Sequence, residues 1–321
     1  VLVTTVGLAG DIARHLQNPG SLENDFLSGW HLVLYGGVAS VGAFIGLGAI
    51  RRGPSYVGAV GSGAIGFVML AMGGVADATW HEIFGAEAAV EALVSPPHLL
   101  VFAGLAFLLT APVVVLWQRP GFRFGLVPSV AVVASVVSAV LVTSLFTGYL
   151  SPLSGGLSLQ AGYVEPLVGE SIEDYDTVRG LGIVVWTSAV LAAAFSVTLM
   201  RFRLVPGVVF AGFLVLAVPP LVVAEGSATR PLTVGFVVAG LVLEVVTRLL
   251  ARPVLGRFGV CVAVAAMASS LWAATFLSLS LDGRLGWEEA LWGGAIVLSG
   301  LIAAAVAGLV GLSVPRPSRP S

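Results

Sequence analysis

The chain has 321 residues, 57% of them hydrophobic and 10% charged, and a mean hydropathy of +1.02. A soluble chain carries about a quarter charged residues, so a water-soluble globular fold is excluded, and no basic patch suggests nucleic-acid binding. The formal net charge of −2 says little about partners, and a single cysteine, Cys261, leaves neither a disulfide framework nor a thiolate metal site within one chain.

Apolar runs fall in order at roughly 1–15, 31–50, 55–80, 98–118, 126–150, 180–200, 204–224, 231–250, 256–279 and 289–312. A crossing needs ~20 residues, and the first run reaches Asp11 after only ten; its start is expected to lie upstream. In lipid every backbone polar group must be satisfied within the segment. The expected fold class is therefore all-α, a polytopic integral membrane helix bundle of about ten transmembrane helices. Glycine-rich stretches such as GGVASVGAFIGLG (36–48) and GAVGSGAIG (58–66) let helices approach closely. No Gly-Lys-Thr follows them, so no phosphate loop is implied.

Every basic residue is arginine. Arg51, Arg52, Arg119, Arg123, Arg201, Arg203, Arg248, Arg252, Arg257, Arg316 and Arg319 lie at one set of helix ends, and only Arg14, Arg179, Arg230 and Arg284 at the other. Arginine excess marks the cytoplasmic side. The expected location is a cell (plasma) membrane, with the C-terminus inside and the 81–98 loop outside. Of the acidic residues only Glu244 falls toward the cytoplasmic ends, so the outer face is acidic and would concentrate cations. The longest outer loop, 151–179, holds Glu165, Glu170, Glu173, Asp174 and Asp176 and is expected to fold back as a cap.

All four histidines fall in two copies of one pattern, Asp11-x3-His15-x15-His31 and Asp77-x3-His81-x16-His98. His31 opens HLVLYGG and His98 opens HLLVFAG. The copies are about 66 residues apart, an interval holding two crossings, so they have the same orientation. A tandem parallel repeat of two-helix hairpins in the first four helices is the expected arrangement. It divides the chain into a metal-site half, 1–118, and a six-helix half, 119–321.

Residues four apart share one helix face, so Asp77 and His81 can address one ion, as can Asp11 and His15. Ser95-Pro96-Pro97 is a helix-start signal that sets His98 in the first turn of the returning helix. Two imidazoles and a carboxylate make a facial set for a divalent transition metal with positions left open. Glu82, Glu87 and Glu91, with Glu23 and Asp25, are candidate outer partners or extra ligands. Histidines and carboxylates are also ordinary at membrane interfaces, and Trp30 and Trp80 look like an aromatic belt. The duplication, the use of every histidine and the placement of Asp11 and Asp77 inside apolar sequence favour metal, because ionisable groups at that depth are costly.

Asp-x3-His followed by a histidine on the neighbouring helix resembles the membrane copper site in the C subunit of particulate methane and ammonia monooxygenases. The resemblance implies copper held by Asp77, His81 and His98, and by repetition by Asp11, His15 and His31. It covers fewer than thirty residues, and this chain differs in a longer final spacing, a doubled motif and more helices.

Two classes of function follow. One is a membrane oxidase or oxygenase acting on an apolar substrate, with copper favoured and iron or zinc as alternatives, served by an electron donor or other membrane subunits. The other is a metal transporter, sensor or delivery protein. Segments 36–50, 55–72 and 99–115 hold no charged side chain, so no ion path leads inward, which favours the enzyme. A b-type haem between His31 and His98 is a third reading, and it leaves the Asp-x3-His pairs without a role. Elsewhere, Glu244 and Arg248 are expected to form a helix-end ion pair, Glu288 and Glu289 to cap the last helix, and Cys261 to sit in the core.

Overall fold

The structure, a computed structural model, describes residues 3, 4, 7, 29–53, 56, 60–85, 94–117, 125–147, 150, 172–223, 229–250 and 256–314. Among these there is no strand. The α-helices are α1 (Gly29–Arg52), α2 (Gly61–Phe84), α3 (Pro96–Trp117), α4 (Leu126–Phe146), α5 (Ile172–Arg201), α6 (Val208–Leu216), α7 (Pro219–Val223), α8 (Thr229–Leu250), α9 (Arg257–Leu281) and α10 (Glu289–Ser313). Eight of them are long and apolar enough to cross a bilayer.

The expected span at 204–224 is not one helix. Pro219 and Pro220 follow Val218 and supply no N–H. The ladder therefore ends as Ala217 N–H donates to Phe213 O (2.9 Å) and Val218 N–H to Val215 O (3.2 Å), and α7 starts afresh at Pro219. The expected loop 151–179 is also shorter than read from sequence, because its last residues, IEDYDTVR, are already helical. Residues 151–171 and most of the first apolar run lie outside the described residues.

The chain divides into two compact units, Val1–Gln118 with Ala134–Val142, and Arg119–Val133 with Thr143–Ser321. In the first unit α2 and α3 form the closest pair. Gly63, Gly66, Leu70 and Gly73 are the buried residues of α2, a spacing of three and four that lines one face. A Cβ at Gly66 would lie 2.6 Å from both Gly104 O and Leu108 N, and one at Gly104 would lie 2.8 Å from Leu70 N. The backbones therefore touch, which only glycine permits. Gly66 meets Leu108, Leu70 meets Gly104 and Gly73 meets Val101, so the helices are antiparallel, and the next step of this register is Asp77 with His98.

In the second unit α9 is the central helix. Val260, Ala263, Val264, Met267, Ala268, Leu271 and Trp272 are buried, and α9 packs against α8, α10 and α5. Cys261 is half-buried rather than a core residue, because it flanks the stripe defined by Val260, Ala263 and Val264. The Trp272 indole N–H donates to Ser188 Oγ at 3.0 Å, giving a buried polar group its partner.

Glu244 forms the expected pair with Arg248, with Nη2 2.6 Å from Oε1. It does more than that. Its carboxylate also accepts from the backbone N–H of Gly207 (2.8 Å) and Phe210 (3.2 Å). Gly207 has φ 90 and stands at the N-cap of α6 without a capping side chain of its own, so Glu244 supplies the acceptor that an N-cap residue would. Glu288, expected to cap α10, makes no side-chain cap bond. Its carbonyl instead accepts from Leu291 and Trp292 N–H at 3.0 and 3.1 Å.

Candidate metal centre

Asp77 and His81 lie in the last two turns of α2, on the face that continues the Gly66–Leu70–Gly73 seam. His98 is the third residue of α3. The close backbone contact below holds these ends together, and three side chains meet where the apolar seam stops.

Asp77 Oδ1 lies 3.5 Å from His81 Nε2 and 3.3 Å from His98 Nε2. All three ligand atoms fall within 4.8 Å of one another. Among the described residues this is the one cluster of three such groups with metal-binding spacing. The side chains retain 15–24% exposure, so the site is recessed and reachable. Two ligands at ~2.1 Å in tetrahedral array are ~3.4 Å apart, and 3.3 and 3.5 Å bracket that value.

Hydrogen bonding decides what these atoms are. His81 Nδ1 lies 3.1 Å from Gly85 O, and a carbonyl can only accept, so Nδ1 carries the proton. Asp77 Oδ1 is buried and accepts no hydrogen bond. That oxygen faces His81 Nε2 across 3.5 Å. A protonated imidazole pairs with this carboxylate directly, and a metal cation between a neutral imidazole and the carboxylate satisfies the lone pairs of both. His98 has Nδ1 2.8 Å from Ser95 Oγ, a hydroxyl that can donate or accept, and Nε2 toward Asp77.

Local sequence explains both outer contacts. Gly85 ends α2 at φ 81, ψ 174, and its N–H donates to His81 O, so both backbone groups of Gly85 engage His81. Ser95 immediately precedes α3, its carbonyl accepting from Leu99 N–H at 2.9 Å and its hydroxyl reaching His98. In the sequence Ser95, with Pro96 and Pro97, marks only a helix start, and Gly85 carries no assigned role. A serine three residues before a helix-start histidine, and a glycine four after the other, were the available signals.

The remaining candidates are distributed differently. Of the first motif only His31 is described; it lies in the first turn of α1, stacked on Tyr35 with ring centroids 5.7 Å apart. Asp11, His15, Glu23, Asp25, Glu87 and Glu91 lie outside the described residues. Glu82 is exposed and is not a member of the cluster. Trp80 packs on Phe84 with centroids 4.4 Å apart, beside the site. No protein-family model, curated protein or solved structure matches the chain.

Proposed function

We propose that this chain is an integral membrane metalloprotein that holds a divalent transition metal on Asp77 Oδ1, His81 Nε2 and His98 Nε2. Copper is favoured and iron or zinc would suit the same donors. The observation that carries the reading is the buried, unsatisfied Asp77 Oδ1 facing two imidazole nitrogens at 3.3 and 3.5 Å.

Three protein ligands leave coordination positions open, as catalytic sites do. Below the site the seam is apolar, with Gly73, Leu70 and Gly66 buried, and no charged side chain continues into the membrane along 55–72 or 99–115. A conducted ion would need polar groups along its path. These features favour an oxidase or oxygenase of an apolar substrate over a transporter. A bound metal would supply the redox or Lewis-acid chemistry, while the chain fixes the ligands. His98 Nε2 faces Asp77 Oδ1 at 3.3 Å, which favours this reading over a shared haem. By the arginine distribution the site opens to the outer face.

Elemental analysis of purified, metal-replete protein, with an optical spectrum, tests the proposal. One metal per described site is expected in wild type, with loss in His81→Ala and in His98→Ala. Alanine is a strong helix former, so both variants should still fold and insert. Full occupancy in both variants, or none in wild type, refutes the site.

A further inference from the structure

We infer that Gly85 and Ser95 are positioning residues that anchor Nδ1 of His81 and of His98, so that Nε2 is the metal-facing atom of each; the Gly85 carbonyl, which can only accept, also fixes the Nδ1–H tautomer of His81. The inference rests on the metal reading above and adds to it the parts of the chain that aim the ligands.

His81 comes from the end of a helix and His98 from the start of one, yet each has its Nδ1 anchored by a group within four residues. For His81 the anchor is the Gly85 carbonyl at 3.1 Å. For His98 it is the Ser95 hydroxyl at 2.8 Å. A metal ligand's second ring nitrogen ordinarily donates to such an acceptor, which fixes tautomer and ring orientation together. The Gly85 contact exists because φ 81, ψ 174 turns its carbonyl back over the last turn of α2. That region of backbone space is essentially restricted to glycine. A Cβ at Gly85 would meet nothing within 4 Å, so glycine is required there for its conformation and not for space. Ser95 is buried, and its one described side-chain contact is His98. A residue serving only to start α3 would not need that contact.

The experiment uses the full chain in detergent, with 15N-labelled histidine and Zn²⁺ as a diamagnetic probe. Wild type should show, for His81 and His98, protonated Nδ1 and zinc-bound Nε2 in 15N spectra. Competition with a chelator should show zinc affinity lowered about 10–100-fold in Ser95→Ala and in Gly85→Ala, the loss usual when an outer partner is removed. Ser95→Thr keeps the hydroxyl and should restore most of the affinity; because Thr also starts helices, the discriminating readout is the His98 Nδ1 15N signal, which should shift in Ser95→Ala with helix content unchanged. Zinc bound through Nδ1 in wild type overturns the inference even if the variants fail to fold. Unchanged affinity in both folded variants overturns it too. A wild type that binds no zinc and no copper refutes the metal reading itself.

Discussion

Gly66→Ala should damage the candidate metal centre without touching it. The Cβ it introduces would lie 2.6 Å from Gly104 O and Leu108 N, all backbone atoms that cannot rotate away. Ordinary contact is ~3.5 Å, so α2 and α3 must part by about 0.9 Å. His98 Nε2 would then move from 3.3 Å to about 4 Å from Asp77, whereas metal–ligand distances tolerate only about ±0.2 Å. The site is eleven residues further along α2, ~16 Å away at 1.5 Å per residue, so no ligand is altered directly. We expect metal affinity to fall at least tenfold, the lower bound for disturbing outer partners alone, and overpacking to cost about 1–3 kcal/mol of stability. Gly104→Ala should act alike. Gly74→Ala is the control, because a Cβ there meets nothing within 4 Å, and it should leave affinity unchanged. Chelator competition with inductively coupled plasma detection reads the affinity, and thermal unfolding in detergent reads the stability. Wild-type affinity in folded Gly66→Ala and Gly104→Ala, or equal loss in Gly74→Ala, would refute the seam as what sets the ligand distances.

Two further outcomes follow from the second unit and from the topology. Glu244→Ala leaves the Gly207 and Phe210 N–H groups without their acceptor and should cost about 1–3 kcal/mol, seen as a lowered melting temperature. Arg248 is half-exposed and can be solvated, so Glu244→Gln, which keeps one acceptor oxygen, should cost less; equal losses would mean the ion pair, not the helix cap, is the dominant contact. For topology, Glu82→Cys in a Cys261→Ser background should react with an impermeant maleimide added to intact cells. Reaction only after membrane disruption would reverse the proposed orientation.

Much of this protein was legible in its sequence, because a bilayer permits few solutions. Runs of ~20 apolar residues must be helices there, and α1 to α5 and α8 to α10 appear where the runs predicted them. The candidate ligands Asp77, His81 and His98 were legible as well, since a spacing of four defines one helix face and Ser95-Pro96-Pro97 starts the next helix. Breaks within a run were less so: 204–224 reads as one apolar span, and the observed ladder shows α6 ending before Pro219-Pro220. Cys261 was misread because hydropathy does not say which side of a lipid-embedded helix faces protein. What tertiary structure alone decided is distance and role. The contact of Gly66 with Gly104 sets how closely α2 and α3 approach, the turn at Gly85 aims a carbonyl at His81, and Glu244 reaches across from α8 to cap α6. Each depends on two segments meeting in space, and no single-segment pattern encodes a separation of 3.3 Å between residues 77 and 98.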